Sequence, residues 1–555
     1  MQNKLAERNH EAAAGNSSTL VFSRRHDDEL LSVLYNDPEQ QLVDFFSRFG
    51  VWWDPDAPCF GIDHGGISSQ REGKHFMAPL ARLTVLDDES GETMFDALAD
   101  QPSGYPWGFV QAGEVDGLRL LVTVTYADLD VVAVKVEFEN TGAVLRQLRL
   151  CLAAAAVDED WIKSVVFHAA PGGVEVIAVQ TSTPTSNFQL RAEPNIDIVS
   201  GWRTDFGISQ HDCPQGGFYA TGEIFSLLPS ETRIFSLYVS AASSDSGSGE
   251  GLIPLVRNRL ATQTAGVDKA IDGAQQRWRQ VFSQLPDDLL VQRWRDYRGA
   301  DGDDTFAERT PPLVHRAMMI LLRNSIRPQP EQGYGEVMGP RRGTFPCRYS
   351  YEGFWVWDSA FQALGFAEWD LELAKENIRL MLLNQSTDGG LHMLHPDSLI
   401  ASAQPPLLSW VAMEIFEKQR QFDETSAREF LIEVYPELSL WNDWWFRHRD
   451  KNGNGLCEWG NNLESGWDDS PRWDNVGGAA GWNNDHGARV YEAVDLNAYL
   501  IKDLRCLSRM ARVLVDLYGH AAASDWDQKA DRLSQLVVDF LYDPEDNIFY
   551  DKDYV

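Results

Sequence analysis

Apolar and polar residues alternate along 118–126 (LRLLVTVTY), 131–139 (VVAVKVEFE) and 232–239 (TRIFSLYV). A period of two in β-branched and aromatic residues predicts strands. Turn clusters such as Asn140-Thr141-Gly142 separate them. The same pattern recurs from about residue 45 to 240, and many short strands with turn punctuation predict a β-sandwich. SSDSGSGEG at 243–251 then interrupts the chain as a flexible segment. Beyond it the period becomes helical. Residues 252–285 read as a long helical connection, and from Pro311 onward helices dominate. Expected helices cover 313–326 and 371–385, the second N-capped by Asp370 with Ala374, Ile378 and Met381 on one face. Pro405 and Pro406 open another, striped by Leu408, Val411 and Ile415. Further helices are expected at 424–448, 491–518 and 524–541. Long connections rich in Trp, Asp and Gly follow alternate helices, which predicts a helical toroid with one loop-bearing face. The domains expected are a disordered 1–20, a β-sandwich over 21–245, a helical linker over 246–310 and a helical domain over 311–555.

Composition narrows the functional classes. A chain of 555 residues is too long for one core. Its net charge of −35 argues against nucleic acid or an anionic membrane surface as partner. It suits a neutral or weakly charged substrate, although solubility alone accounts for most of it. Six scattered cysteines form no CxxC pair, so neither a zinc signature nor a disulfide framework is expected. The first residues lack an apolar core of the signal-peptide kind, and no apolar run nears 20 residues, so a cytoplasmic protein is the simplest expectation. Tryptophan stands out: 12 of the 19 lie at or after Trp355.

The densest chemistry is ESGWDDSPRWD at 464–474. Glu464, Asp468 and Asp469 lie there with Trp467, Trp473 and Arg472, and Gly466 and Pro471 make the segment a loop. Acids beside flat rings suit a sugar site: rings stack on pyranose faces, a carboxyl protonates a glycosidic oxygen, and an arginine holds hydroxyls. The alternative is a polar loop whose indoles merely pack. RYSYEGFWVWDSAF at 348–361 places Trp355, Trp357 and Asp358 just before an apolar helix; Asp358 is either a sugar ligand or that helix's N-cap. QSTDGGLH at 385–392 and Gln404-Pro405-Pro406 each bring an amide to a turn, and singly they are weak signals. DKNGNGLCE at 450–458 spaces Asp450, Asn452 and Asn454 like the start of a calcium loop, with a carbonyl from Leu456 and a carboxylate from Glu458. An Asn-Gly turn explains it equally well.

Taken in order, WVWDSAF, QSTDGGL, SAQPPLLSW and ESGWDDSPRW resemble the clan of inverting α-glycosidases that contains trehalases and glycoside hydrolase family 63. The resemblance covers about residues 340–555 and extends weakly to the β-rich part. It implies an (α/α)6 barrel with the site in the loops at one end. It implies that Asp468 is the general acid, that Trp357, Asp358 and Gln404 hold the sugar in the −1 subsite, and that Arg472 lies close by, with Trp355 and Trp467 as further binding residues. Some members bind structural calcium in a loop comparable to 450–458. Trehalases carry arginines where this chain has Ala401 and, near 350, Ser350 and Tyr351, with Arg348 displaced; those departures favour family 63.

An inverting glycosidase needs a second carboxylate about 6.5–9.5 Å from the acid. In family 63 that base is a glutamate far downstream of the acid, and Glu464, Asp469 and Asp474 are too near Asp468 to replace it. The expectation is therefore a barrel incomplete at its C-terminal end, a base beyond Val555, little turnover by the chain as given, and exposed apolar flanks near 313–322 and 533–541. The leading functional expectation is an inverting α-glycosidase of α-glucosidase type, acting on α-glucosides or short oligosaccharides. The alternatives are glucosylglycerate or mannosylglycerate hydrolysis, a non-catalytic sugar-binding protein, and a phosphorylase. Neither nucleic acid nor membrane is expected as partner, and calcium is the one expected cofactor. Asp468, between Trp467 and Asp469, is expected to be partly desolvated.

Overall fold

A computed structural model describes residues 49–54, 59–64, 77–90, 103–128, 130–154, 162–170, 173–182, 196–206, 208–212, 218–244, 249–298, 304–328, 338–347, 351, 353–395, 402–468, 470–473 and 491–553. The disorder expected at 1–20 lies outside these residues.

Among the described residues, the N-terminal part is built of strands. In chain order these are β1 (Phe49–Asp54), β2 (Cys59–His64), β3 (Met77–Asp87), β4 (Ser103–Tyr105), β5 (Gly108–Val115), β6 (Leu118–Asp128) and β7 (Val131–Asn140). Then come β8 (Arg146–Ala154), β9 (Ile162–Ala170), β10 (Gly173–Ser182), β11 (Ile196–Thr204), β12 (Ile208–Asp212), β13 (Phe218–Leu227) and β14 (Thr232–Ser244). They form two sheets, ordered β1-β2-β3-β8-β13-β12 and β4-β5-β6-β7-β14-β11-β10-β9. The pairings are antiparallel; β6 and β7, for example, match Val122 with Val136 and Val124 with Val134. Leu118, Leu120, Val122 and Val124 are buried on one face of β6, as the alternation requires. Leu148, Leu150 and Phe225 of the first sheet share one apolar cluster with Val122, Val134 and Phe138 of the second.

The expected linker is not a free connection. Helices α1 (Ile253–Ala261) and α2 (Val267–Phe282) lie on the larger sheet. Val256, Leu260 and Val267 pack there with Val131, Ala133, Val199 and Tyr238. α3 (Asp287–Arg298) leads to α4 (Asp304–Arg323), which starts before the expected position and runs through Pro311 and Pro312. Proline removes a backbone donor, but Ala307 is buried in the first turn of α4, so tertiary packing holds the segment ahead of the prolines.

The helices that follow are α5 (Val356–Phe366), α6 (Leu371–Leu383), α7 (Leu408–Gln419), α8 (Glu424–His448), α9 (Val494–Val513) and α10 (Val515–Leu541). Their limits follow local signals. Asp370 caps α6 by accepting the Leu373 N–H at 2.9 Å, and Asp423 caps α8 by accepting that of Ser426 at 3.0 Å. Leu408, Val411 and Ile415 are fully buried on α7, as the stripe predicts. α5, α7 and α9 lie side by side, with α6, α8 and α10 packed against them in turn. Their shared core contains Trp441, Trp445 and Trp459, all fully buried. The expected exposure of apolar flanks holds for Leu313, Ile320, Val538 and Phe540, whereas Met319, Leu322, Leu533 and Leu541 are buried. Among the described residues, no helix is long and apolar enough to cross a membrane.

Candidate active site at the helix N-termini

Three lines of chain meet at the N-terminal ends of α5, α7 and α9. Residues 354–358 enter α5, 402–407 enter α7 and 491–495 enter α9, and the acid-bearing loop 460–473 contacts all three. One loop-bearing face, as the spacing of the long connections predicts, is what the structure shows. The positive ends of three helix dipoles are directed towards it.

Trp355 and Trp357 have different roles, although they are two residues apart. Trp355 lies in β15 (Phe354–Trp355), paired with β16 (Leu394–His395). Its ring is buried with Met393, Leu394 and Leu463, and its Nε1 has no hydrogen-bond partner among the described residues. It is placed as packing, not as an open stacking surface. Trp357, one residue into α5, is half-buried, and its six-membered ring lies directly over Gly466. A Cβ on Gly466 would fall 2.4 Å from Cζ2, and Gly466 also has a φ of +67°, so only glycine suits this position. That contact brings the Trp-Asp segment against the loop two residues before Asp468.

Asp358 stands in the first turn of α5 and is not its N-cap; Trp355 holds that position. Burial pushes its carboxyl up to about 6, opposed by hydrogen bonds from its own backbone and from Trp357. Gln404 is buried, and its Oε1 accepts the Trp357 N–H at 3.1 Å. That bond fixes the entrance of α5. Gln385, the other amide singled out from the sequence, donates to the carbonyls of Gly389 and Glu437, both at 2.9 Å, and is a turn clamp.

In the acid-bearing loop, neighbouring carboxylates differ sharply. Glu464 is fully buried. It accepts the N–H of Ala403 at 3.1 Å and of Gly460 at 2.6 Å, and Arg449 donates Nε at 2.9 Å and Nη2 to its two oxygens. Asn461 adds a bond from Nδ2 to Ser402 Oγ at 2.6 Å. Asp468, four residues on, is exposed. Trp467 is 60% exposed, with its ring open to solvent. Its carbonyl accepts the Ser470 N–H and the Trp473 Nε1–H, both at 3.0 Å, which closes the turn that presents Asp468.

Arg472 is held by two carboxylates. Its Nη1 binds Asp495 at 3.0 and 3.1 Å, and its Nε binds Asp551 at 3.0 Å. Trp459 Nε1 also donates to Asp495, at 3.1 Å, and Asp551 accepts the Val494 N–H at 2.9 Å. The guanidinium is a latch between the loop and the start of α9. Sequence reasoning missed Arg449, Asp495 and Asp551, because no local pattern marks them as partners of the loop. Asp469, Asp474, Arg348, Ser350 and Ala401 lie outside the described residues.

At 450–458 the amides form a turn. Asn454 N–H donates to Asn452 Oδ1 at 3.0 Å, and Leu456 N–H to Asn454 Oδ1 at 2.8 Å. Both Asn NH2 groups donate to Glu492 Oε1, at 2.8 and 2.5 Å. Gly455 N–H binds Asp450 Oδ2 and Lys451 N–H binds Glu458 Oε1, both at 3.0 Å. Among the described residues, Asp450 Oδ1 and Glu458 Oε2 are buried without a partner, and burial pushes Glu458 up to about 7. The amide oxygens of Asn452 and Asn454 are turned to the backbone. Among the described residues, no three His, Cys, Asp or Glu side chains are gathered for a metal.

Residues 351–555 match the model of the mannosylglycerate hydrolase MGH1-like glycoside hydrolase domain. Mannosylglycerate hydrolase MGH1 of Selaginella moellendorffii is 28% identical over 151 residues, which is 24% of this chain and 30% of that protein. Glucosylglycerate hydrolase of Mycolicibacterium hassiacum is 27% identical over 171 residues, 26% of this chain and 38% of that protein. The matched stretch thus spans about a third of the length of these relatives. A putative kojibiose phosphorylase from human microbiome superposes over 95% of this chain and 70% of its own, with a TM-score of 0.51 at 11% identity. That likeness concerns the fold, and it extends over both the sheet-rich and the helical parts.

Proposed function

We propose, from the match of residues 351–555 to the mannosylglycerate hydrolase MGH1-like glycoside hydrolase domain, that this site hydrolyses an α-linked sugar attached to glycerate, mannosylglycerate or glucosylglycerate. The names of the relatives favour this alternative over the general α-glucosidase expectation. The observation that carries the proposal is the convergence of Trp357, Asp358, Gln404 and the exposed Asp468 on one loop-bearing face. In the same reading, the two sheets are a β-sandwich and the helices are part of an (α/α)6 ring.

Asp468 is the proton donor to the glycosidic oxygen, and its exposed turn gives it access to a bond entering from solvent. Asp358, ionised above about pH 6, accepts sugar hydroxyls, and the NH2 of Gln404 donates to them. Trp357 and Trp467 supply ring faces for a pyranose and its substituent. The described residues thus provide the acid half of the chemistry and the sugar cradle. For the 450–458 loop, structural calcium is proposed on its two orphaned carboxylate oxygens. The ion would fix the approach to the acid-bearing loop and take no part in bond breaking.

The test is release of D-glycerate from mannosylglycerate and glucosylglycerate by the purified chain, beside maltose and kojibiose, with and without phosphate. Phosphate-independent glycerate release, with the inverted anomer seen by NMR, is the expected result, and it is slow where acid assistance acts without a second carboxylate to activate water. Turnover only with phosphate would make the protein a phosphorylase. Binding without glycerate release would make it a sugar-binding protein.

A further inference from the structure

Glu464 is fully buried and accepts four hydrogen bonds. Its four donors come from three places. Arg449 stands at the C-terminal end of α8, Gly460 begins the acid-bearing loop, and Ala403 precedes Gln404. Two further features are built around the carboxylate. A Cβ on Gly460 would lie 2.8 Å from Glu464 Oε2 and 2.9 Å from Arg449 Nε, so glycine leaves the room. Arg449 is itself held, its guanidinium 4.8 Å from the centre of the Trp444 ring. From Glu464 the chain reaches Asp468 in four residues through the left-handed Gly466. From Ala403 it reaches Gln404 in one.

We propose that Glu464 is a positioning residue whose buried carboxylate holds the loop carrying Asp468 in register with the segment carrying Gln404. This rests on the reading of Asp468 as proton donor. A carboxylate is required because all four partners are donors: it accepts from every one, whereas a glutamine would turn an NH2 towards a backbone N–H or towards the guanidinium. Losing the register displaces the acid from the leaving oxygen while leaving the sugar contacts of Trp357 and Asp358 in place. Misplacement by about 1 Å costs about 10²-fold in rate.

The test compares Glu464→Gln, Arg449→Met and the double variant with the wild-type chain. Removing both charges relieves the unpaired guanidinium, so the double variant should melt above either single variant. It should still lose about 10²-fold in kcat on a glycosylglycerate, with KM within about threefold. With a 2,4-dinitrophenyl glycoside, which needs no proton, the loss should shrink at least about tenfold. Equal losses on both substrates would reduce Glu464 to a structural residue and overturn the proposal, as would wild-type kcat in the double variant. Amide hydrogen exchange decides the point independently of activity. The Ala403 and Gly460 amides should exchange faster in the double variant, and unchanged protection would overturn the register. If the wild-type chain releases no glycerate, the proposed activity fails, and the exchange result alone still decides the positioning role.

Discussion

Replacing Gly466 by alanine tests the seam between two segments of the site. The new methyl carbon would sit 2.4, 2.5 and 2.9 Å from Cζ2, Cη2 and Cε2 of Trp357. Ordinary contact is about 3.5–4.0 Å, so the indole must retreat by about 1 Å. It has little freedom to do so. Its backbone N–H is tied to Gln404, and its ring meets Phe361 edge-on, with 5.7 Å between centroids. Overpacking of this kind costs about 1–3 kcal/mol. The left-handed backbone adds about 1–2 kcal/mol once a Cβ is present. The total expected is about 2–5 kcal/mol. Gly453 provides the control, since it has a φ of +71° and nothing within 4 Å of its would-be Cβ. Gly453→Ala should show only the backbone part. Urea denaturation of both variants at one pH measures the difference. Titration of intrinsic tryptophan fluorescence with a glycosylglycerate measures the functional consequence, which should be weakened binding in Gly466→Ala alone. Equal stability losses in the two variants would refute the seating of Trp357 on Gly466.

Asp468→Asn should cut turnover of glycosylglycerates by about 10²–10⁴-fold while leaving the fluorescence response to substrate intact; near-normal turnover would remove Asp468 from the mechanism. Asp503 is completely buried, accepts Asn442 Nδ2 at 2.7 Å, and is pushed up to about 7 by burial. Its protonated form is the one favoured in the fold, so its stabilisation is complete below about pH 4 and is lost as the pH rises to about 7. The stability of the wild type relative to Asp503→Asn should therefore fall by about 4 kcal/mol across that window, and parallel curves of stability against pH would contradict it. Calcium at 450–458 predicts metal retained after dialysis and a lower melting temperature with chelator; no metal and no shift would leave the hydrogen-bonded turn as the whole account.

What could be read from the sequence divides along the range of the forces involved. Alternation in 118–126, the cap at Asp370 and the stripe through Leu408, Val411 and Ile415 are set by residues within a turn or two of each other, and each is found as expected. The meeting of the Trp-Asp, Gln-Pro-Pro and Gly-Trp-Asp segments was legible only through the family resemblance that the motifs carry in order, since singly each is a weak signal. Partner choice was not legible. Glu464 and Asp468 look alike in a loop, yet one is fully buried and the other exposed, because the donors of Glu464 come from Ala403 and Arg449. Arg472 reads equally as sugar ligand or latch until Asp495 and Asp551 are seen beside it. Trp355 and Trp357 are separated by one residue, and only the pairing of Trp355 with Leu394 sends its ring into the core.

Those non-local contacts resolve a conflict inherent in placing an acid on a loop. A proton donor must be open to a substrate arriving from solvent, yet it must also stay within a fraction of an ångström of its target. Exposed loops lack the buried contacts that fix a helix. In this protein the loop is anchored on both sides of the acid. Glu464 ties its start to Arg449 and Ala403, and Arg472 ties its end to Asp495 and Asp551. Between the anchors, Gly466 lies under the Trp357 ring and the Trp467 carbonyl closes the turn. Only a few residues around Asp468 therefore face solvent, and the backbone on both sides of them is held by charge-assisted bonds. Buried ion pairs of this kind contribute little net stability, because desolvation offsets their attraction. Their value in this loop is geometric: they hold the loop against the helix N-termini, with Asp468 and the residues proposed to bind the sugar on one face.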